Sequence, residues 1–253
     1  VCQDQQRYRV QVPERQARFV NDAGDAVEPV YTPADLDAGG FSYESHLGFP
    51  GEFPYTRGID PAMYRREVPI VSAYAGFGDP RDSNQRYREL IELGVQGLSV
   101  ALDLPTQLGF DPDDIMACGE VGRMGVAVST LRDFEILFDG IPLDSLRSVG
   151  STANAIGPIV LAMFIALGEK QGLDRRQFTV ALQNDVLKEY VARGTQIFPA
   201  KPALRFTVDA LEWCVHNEPH WIPLTVCSNH IDVAGAGSTA ATAFTLANAR
   251  CYL

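Results

Sequence analysis

Polar side chains capable of holding a ligand follow an apolar run at residues 179–199, TVALQNDVLKEYVARGTQIFP. Gln183, Asn184 and Asp185 end the apolar run, and Arg193 lies ten positions after the glutamine. An amide both donates and accepts hydrogen bonds, and a guanidinium donates through five N–H groups. We therefore predict that Gln183 and Arg193 are site residues, reached from a strand end and from the turn or helix after it.

Polar residues also end the other predicted strands after the first, namely Asp103, Asn154 and the run Ser228, Asn229 and His230. In a (β/α)₈ barrel the active site forms at the carboxyl ends of several strands at once. Asp and Asn also cap helices at strand-to-helix junctions, so both interpretations stay open for Asp103, Asn154 and Asp185. For His230, as for Gln183 and Arg193, we favour a functional role.

The elements that must position these residues are predicted from hydrophobic patterning. Apolar, β-rich runs occupy 70–77, 97–104, 147–154, 178–185 and 222–230, and amphipathic helical patterns occur near 83–93, 130–138, 157–171, 185–193, 203–217 and 238–250. Such alternation predicts a parallel sheet of about five β/α units, either doubly wound or closed as a barrel. Residues 1 to about 53 lack periodicity and are rich in Gly, Pro and aromatic residues, which predicts an ordered arm.

Small polar residues occur within the predicted strands, where a barrel interior normally carries Val, Ile and Leu. They are Ser99, Ser151, Thr152, Thr225 and Ser228. One interpretation is an axial channel lined by hydroxyl groups. The other is that these hydroxyls face helices or bond to neighbouring carbonyl groups.

Composition excludes several classes of protein. With 21 Lys and Arg against 32 Asp and Glu, the net charge of −11 argues against a general nucleic-acid or anionic-membrane binder. The five cysteines are widely spaced and form no CxxC pair, so we expect no zinc site and a reducing, cytoplasmic location. No apolar run approaches the roughly 18 residues of a membrane span. With four histidines, two of them in the polar segment HNEPH, a metal-dependent aldolase or hydrolase is disfavoured.

Several longer stretches carry a resemblance to a known family. They are PYTRGIDPAMY, AYAGFGDPRDSNQRYREL, GLSVALDLPTQLGFDPDD, GEVGRMGVAVSTLRDFEILFDGIPL, LQNDVLKEYVARGTQIFPAKPALRF and CSNHIDVAGA. Together, over about residues 28–253, the chain resembles the large, substrate-binding chain of the adenosylcobalamin-dependent acyl-CoA mutases, the methylmalonyl-CoA mutase family. The resemblance implies a TIM (β/α)₈ barrel threaded by coenzyme A. Residues 70–253 would be its N-terminal part, about five of the β/α units, and residues 1–69 an extended arm that contacts CoA and the barrel.

The resemblance also implies roles for individual residues. His230, Gln183 and Tyr74 match catalytic positions: the first two hold the thioester group, and the tyrosine helps to displace the adenosyl group. Arg193 matches the arginine that clamps the free carboxylate of the substrate. Further substrate contacts are implied at Tyr55, Thr56, Arg57, Met63, Ser99, Thr152 and Asn229. Contacts to the cofactor are implied at Gln107, Leu102 and Arg193.

The implied reaction is a radical rearrangement of a carboxylated acyl-CoA such as methylmalonyl-CoA or ethylmalonyl-CoA, with adenosylcobalamin as cofactor. No cobalamin-binding signature is found in the sequence, so we expect a separate cobalamin-binding domain or subunit and a homo- or hetero-oligomer. The chain departs from the family pattern at Asn229, Val233, Ser72, Gly150 and Gln107. Two alternatives therefore stay open: a mutase for another branched acyl-CoA, and a non-catalytic acyl-CoA-binding or regulatory homologue.

Overall fold

Four short parallel strands organise the larger part of the chain: β1 (Ser72–Ala75), β2 (Gly97–Val100), β3 (Ser148–Ser151) and β4 (Val180–Leu182). The structure is a computed structural model that describes residues 18–28, 30–66 and 68–253. The chain divides into two compact units between Pro69 and Ile70. The strands pair in the order β1-β2-β3-β4, whereas a doubly wound sheet reverses its order at a switch point. The arrangement is a parallel α/β sheet consistent with part of a barrel.

The helices follow the strands in alternation. Helix α1 (Pro33–Ala38) lies in the first unit, and the second contains α2 (Pro80–Glu92), α3 (Leu104–Leu108), α4 (Leu131–Leu137), α5 (Gly157–Lys170), α6 (Ala200–Asn217), α7 (Asn229–Ile231) and α8 (Gly237–Tyr252). Short 3₁₀ turns occur at Met63–Arg65, Ile115–Ala117, Leu143–Ser145 and Arg175–Gln177. Single π-helical turns occur at Tyr43–Leu47, Glu189–Arg193 and Asp232–Ala236. No helix in the described residues is long and apolar enough to cross a membrane.

The two faces of the sheet differ in character. Leu98 aligns with Val149, which aligns with Val180, and all three are buried against the helices together with Phe134 and other aromatic residues. The opposite face carries a second row, Tyr74, Ser99, Gly150 and Ala181. Because side chains alternate between faces along a strand, this row lies on the surface that would line a barrel interior. The row includes Ser99, one of the hydroxyl residues predicted to line a channel.

Local sequence signals explain where the helices begin. Asp79 accepts hydrogen bonds from the backbone N–H groups of Arg81 (2.7 Å) and Asp82 (3.1 Å), and Pro80 occupies the first helical position. This is a capping box, which satisfies backbone donors that a helix leaves unpaired at its start. The same arrangement of Thr130 and Asp133 begins α4. The predicted helices near 83–93, 130–138, 157–171, 203–217 and 238–250 are confirmed, and α3 was missed.

The fifth predicted strand, 222–230, is wrong as a regular strand. Its pairing with β4 is an isolated parallel bridge between Ala181 and Ile222. Pro223 has no N–H group to donate, and its carbonyl accepts from Asn184 Nδ2 at 3.3 Å. Farther along, the N–H of Cys227 donates to Asp185 Oδ2 at 3.0 Å. Backbone bonds to β4 and Gln183 thus persist at Ile222 and Thr225, and side chains bond only the backbone groups of Pro223 and Cys227.

The first unit is more folded than the extended arm that the sequence predicts. Asp35 Oδ2 accepts from the backbone N–H of Thr32 at 2.6 Å, which fixes the start of α1. The backbone N–H of Val27 donates to Phe19 O at 2.9 Å, beside an isolated antiparallel bridge between Val20 and Ala26. These local bonds give the arm a series of turns, although most of its described side chains are exposed.

Candidate functional site

The end of β4 places Gln183 beside neighbouring strands. The backbone N–H of Gln183 donates to Ser151 O at 3.0 Å, and its carbonyl accepts from Thr225 N at 2.9 Å. Asn184 then adopts φ 46°, in the left-handed region that asparagine tolerates better than most residues. The chain therefore turns directly after Gln183. This turn begins the segment that carries Asp185, Lys188, Glu189 and Arg193.

A fully buried lysine lies at the centre of this site. Lys188 is completely inaccessible to solvent, and its Nζ donates to Asn154 Oδ1 (3.2 Å) and to Gln183 Oε1. Asn154 Nδ2 also donates to Gln183 Oε1 at 3.2 Å. Burial lowers the pKa of the Lys188 ammonium, while the neighbouring Cys227, Asp185 and Glu189 oppose that shift. The Gln183 oxygen thus accepts from two buried donors.

Glu189 connects this lysine cluster to Arg193. Its carboxylate accepts from Asn154 Nδ2 (2.5 Å), from the N–H of Thr195 (3.0 Å) and from Arg193 Nη1 (3.2 Å). Arg193 Nη1 also donates to Thr195 Oγ1 at 3.4 Å, and Nη2 donates to Gln107 Oε1 at 2.6 Å. Three of the five guanidinium N–H groups are used in this way, which leaves two donors, the number that a bidentate carboxylate requires.

A tyrosine from the last helix holds the site segment in place. Tyr252 OH donates to Asp185 Oδ1 at 2.6 Å and accepts from the N–H of Leu187 at 2.8 Å. Asp185 accepts from Cys227 N through its other oxygen. Asp185 is fully buried, and these contacts satisfy both of its carboxylate oxygens. Its role in the structure is thus to join three segments, and the helix-cap interpretation of this residue is wrong.

His230 is on α7, in the segment that follows the bridge to β4. Its Nδ1 atom is buried and has no hydrogen-bond partner. Burial lowers the pKa of His230, and the positive charges of Lys188 and Arg193 lower it further, while Glu189 and Asp185 act in the opposite direction. The imidazole therefore favours its neutral form, in which one ring nitrogen donates and the other accepts.

The remaining site residues predicted in the second unit lie on the inner face of the sheet or at its edge. Tyr74 is 57% exposed, and its hydroxyl lies 3.1 Å from Thr152 Oγ1. Ser99 is half-buried and aligned with Tyr74 across β1 and β2. Asn229 is exposed, next to His230 on α7. The structure thus brings Gln183, Arg193 and His230 to one charged cluster and pairs Tyr74 with Thr152.

The predicted arm residues form their own contacts within the first unit. Thr56 Oγ1 donates to Leu47 O, and Arg57 Nη1 donates to Tyr43 OH with the guanidinium over the same ring. Tyr55 (φ 60°) and Met63 (φ 44°) both adopt left-handed backbone conformations, which are uncommon for residues other than glycine. All four residues are exposed.

Lys188 and Glu189 are site residues that were missed from the sequence. The prediction of a helix at 185–193 gave them no separate role, and a Lys-Glu pair usually lies on the exposed face of a helix. In the structure the helical pattern starts only at Leu187 and continues as the π-helical turn Glu189–Arg193. The available signal was their position directly after Gln183, Asn184 and Asp185. Among the described residues, no group of three or more His, Cys, Asp or Glu is arranged to hold a metal ion.

Sequence comparison identifies the family. The family model described as Methylmalonyl-CoA mutase matches residues 20–253, which is most of the chain. The chain belongs to the methylmalonyl-CoA mutase family. It is 41% identical over 230 residues to a methylmalonyl-CoA mutase of Escherichia coli (strain K12), covering 91% of this chain and 32% of that protein. It is 39% identical over 241 residues to the 2-hydroxyisobutanoyl-CoA mutase large subunit of Aquincola tertiaricarbonis, covering 95% and 42%.

A third relative in the methylmalonyl-CoA mutase family is the methylmalonyl-CoA mutase large subunit of Streptomyces virginiae. It is 39% identical over 230 residues, which cover 91% of this chain and 31% of that protein. The chain thus spans about a third of the length of most of these relatives, and somewhat more of the Aquincola tertiaricarbonis large subunit. The comparisons establish the family of this region.

Proteins of the methylmalonyl-CoA mutase family generally depend on adenosylcobalamin, so the implied cofactor contacts can be tested for fit. Gln107 is 7% exposed, and its Nε2 donates to Leu102 O at 2.6 Å while its Oε1 accepts from Arg193. Leu102 is 1% exposed. Neither residue therefore offers an accessible group to a cofactor. Gln107 Oε1 instead supports Arg193, and the contacts of Gln107, Leu102 and Arg193 with a cofactor stay a prediction.

Proposed function

We propose that the complete protein is an adenosylcobalamin-dependent acyl-CoA mutase that acts on a carboxylated acyl-CoA, methylmalonyl-CoA or ethylmalonyl-CoA. The observation that carries this proposal is the arrangement of Gln183, Arg193 and His230 around one buried cluster at the end of β4. An amide donor, a neutral imidazole and a guanidinium provide groups for a thioester carbonyl and a carboxylate. Adenosylcobalamin, held with a separate cobalamin-binding domain or subunit, supplies the radical chemistry.

In the proposed reaction the thioester carbonyl group and a hydrogen atom exchange places on adjacent carbons, so the product is an isomer of the substrate. The protein residues bind and orient the acyl group. His230 and Gln183 hold the thioester oxygen, and Arg193 binds the free carboxylate through its two remaining donors. Tyr74 borders the acyl group on the inner face of the sheet, with Thr152 bonded to its hydroxyl. Ser99, Thr152 and Asn229 are proposed as further substrate contacts.

An acyl group without a carboxylate would not leave Arg193 unpaired in this site. Arg193 instead has an internal partner, Glu189, at 3.2 Å. The preference for a carboxylate therefore depends on the two unused guanidinium donors rather than on the cost of an unpaired charge. Leaving two guanidinium donors unused costs less free energy than leaving the charge of Arg193 unpaired. A branched acyl-CoA without a carboxylate therefore remains the second candidate substrate.

The arm residues are included in the proposal as contacts to coenzyme A. Tyr55, Thr56, Arg57 and Met63 are exposed, and Arg57 carries a positive charge suited to a phosphate group. We further propose a cytoplasmic location, which is supported by the free state of Cys118, Cys214, Cys227 and Cys251. The large-subunit names of two relatives support a partner subunit for the complete protein.

The proposal is tested by turnover of the complete protein with adenosylcobalamin. Purified protein is incubated with methylmalonyl-CoA, ethylmalonyl-CoA or isobutyryl-CoA, and the isomeric products are separated by chromatography and identified by mass and NMR. Isomerisation of a carboxylated substrate supports the proposal. Tight binding of the CoA ester without isomer formation supports the non-catalytic acyl-CoA-binding alternative instead.

A further inference from the structure

The hydrogen bonds of the buried Lys188 differ from those of a lysine in a structural ion pair. Both hydrogen bonds described for Lys188 go to amide oxygens, Gln183 Oε1 and Asn154 Oδ1. Among the described residues, its ammonium forms no ion pair with a carboxylate within 4 Å. The nearby carboxylates have other partners, because Asp185 binds Tyr252 and Glu189 binds Arg193.

This arrangement fixes the orientation of the Gln183 carboxamide. Its oxygen accepts from Lys188 and from Asn154 Nδ2 at 3.2 Å, both of which are buried donors. An amide flip would place the Gln183 NH₂ group against an ammonium and a second NH₂ group, three groups that can only donate. Donor-to-donor contact between buried groups is costly. The oxygen is therefore held inward.

The NH₂ end of the amide is the end that Lys188 and Asn154 leave free. Burial raises the pKa of the nearby Cys227 thiol, while the positive charge of Lys188 and an interaction with Gln183 oppose that shift. The Cys227 thiol itself donates to Thr225 O at 3.3 Å. A carbonyl oxygen of a ligand is a strong acceptor and a suitable partner for this NH₂ group.

We propose that Lys188 is a positioning residue that holds the Gln183 oxygen inward, so that Gln183 presents its NH₂ group to the thioester carbonyl of the substrate as a hydrogen-bond donor. The identity of that ligand rests on the proposed function. The orientation of the amide rests only on contacts within the chain. The two can therefore be tested separately.

The first test measures thermal stability and needs no activity. A Gln183→Glu substitution places a carboxylate against the Lys188 ammonium, so we expect the Tm of the complete protein to stay within about 2 °C of wild type or to rise. Gln183→Leu removes the acceptor and leaves the ammonium unsatisfied, so we expect the Tm to fall by about 5 °C or more. Equal Tm changes for the two variants, or a larger loss with Glu, would overturn the proposal.

A double-mutant cycle tests whether the two residues act on each other. In a Lys188→Met background the carboxylate of Gln183→Glu loses its cation, and the Tm cost of this substitution should exceed its cost beside lysine by about 5 °C. If the cost is the same in both backgrounds, Lys188 does not bind the side chain at position 183. If Lys188→Met does not fold, the comparison of Gln183→Glu with Gln183→Leu decides by itself.

The second test measures kcat and KM in the complete holoenzyme with methylmalonyl-CoA. Gln183→Glu keeps the oxygen that Lys188 binds but replaces the donating NH₂ group, so we expect kcat to fall about 10²-fold with the Tm retained. The matched control is Gln177→Glu, because Gln177 uses its Oε1 to accept from the N–H of Asp174 at 2.7 Å, and a carboxylate does the same. This control should change kcat less than twofold. Retained kcat in Gln183→Glu would contradict the donor role.

The outcomes distinguish this inference from the proposed function. If the wild-type holoenzyme isomerises no acyl-CoA, the proposed function fails, and the Tm comparison still decides whether Lys188 orients Gln183. If the wild type is active and the two Gln183 variants have equal Tm values, the positioning role fails while the proposed function stands.

Discussion

At the scale of single residues, Arg193 is the group proposed to distinguish one acyl-CoA from another. Its guanidinium is partly buried and bonded to Glu189, Thr195 and Gln107, which hold it in one orientation. Because an arginine held in this way keeps its remaining donors pre-oriented, little conformational entropy is lost when a carboxylate binds. Selectivity for the acyl group therefore depends on how well the surrounding residues fix this side chain.

Replacing Arg193 should change substrate preference. In Arg193→Gln we expect kcat/KM for methylmalonyl-CoA to fall by about two orders of magnitude, and that for isobutyryl-CoA by less than about tenfold, because only the first substrate loses an ion pair. Both constants are measured by steady-state turnover. The control is Arg205→Gln, since Arg205 is exposed and, among the described residues, forms an ion pair only with Asp209 at 3.7 Å. Equal losses for the two substrates would show that Arg193 does not recognise the carboxylate.

Replacing His230 should separate binding from rearrangement. We expect His230→Ala to lower kcat by about 10²-fold, because the group proposed to hydrogen-bond the thioester oxygen is lost. The Kd of the CoA ester, measured by calorimetry, should change less than threefold, since the contacts proposed for coenzyme A are made by other residues. His216→Ala on the exposed side of α6 serves as control. An unchanged kcat in His230→Ala would exclude the assigned role.

The same histidine should make stability depend on pH. The folded state lowers the pKa of His230 below its unfolded value of about 6.5, so the unfolded chain binds the proton more readily. The free energy of unfolding is therefore lost as pH falls through the unfolded pKa and toward the folded one. Between pH 7.5 and 5.5 the wild type should lose more of this free energy than His230→Gln, as measured by denaturant unfolding. Parallel pH profiles for the two proteins would contradict this prediction.

At the scale of elements, the pairing of β3 with β4 depends on Gly150. A Cβ atom at this position would lie 1.8 Å from the carbonyl oxygen of Ala181, so a side chain cannot fit unless the strands move apart. We expect Gly150→Ala to cost about 1–3 kcal/mol in the free energy of unfolding. In Gly39→Ala, the added Cβ would meet only backbone oxygens at 3.5 Å, so a loss of less than about 0.5 kcal/mol is expected from denaturant unfolding. A similar cost for both would show that the strands adjust easily.

The sequence predicts the regular elements better than the segments between them. Strands β1 to β4 are short apolar runs, and helices such as α5 have long patterns, so burial alone specifies them. Segment 222–230 has an equally apolar start, but the side chains of Asn184 and Asp185 form hydrogen bonds with two of its backbone groups. These contacts join residues that are about 40 positions apart in sequence, and no local pattern reports them.

The site residues also divide into those that the sequence indicates and those that only the structure shows. Gln183, Arg193 and His230 stand out in the sequence because polar groups at the ends of apolar runs are unusual. Lys188 and Glu189 do not stand out, because a Lys-Glu pair is ordinary on a helix surface. Only the tertiary structure shows that both are buried, at 0% and 1% exposure. A buried charge is recognisable from its environment and not from its residue type.

At the scale of the whole molecule, the sheet leaves apolar groups uncovered. Within the described residues, β1 pairs with β2 on one side and has no strand on the other. Ile70 (46% exposed), Val71 (59%) and Phe77 (49%) flank this strand. An unpaired edge with apolar neighbours favours association with other chains. Residues outside the described strands would have to cover this edge in a closed barrel.

Residues 1–253 expressed alone should therefore self-associate. We expect higher oligomers in size-exclusion chromatography with light scattering, and strong binding of a hydrophobic dye. The complete protein, compared in the same buffer and at the same concentration, should give one defined oligomer and little dye fluorescence. A monodisperse, dye-silent sample of residues 1–253 would show that this edge needs no further cover.

The bonds of Tyr252 with Asp185 and Leu187 have a consequence for the order of events during synthesis. The two ends of this contact are separated by 67 residues. At about 5–20 residues per second, a ribosome needs roughly 3–13 s to proceed from Asp185 to Tyr252. During that interval the nascent chain contains Asp185, but Tyr252, which donates to its carboxylate in the folded protein, has not yet been synthesised. Slow codons or a chaperone acting within this interval would thus influence how many chains acquire a properly closed site.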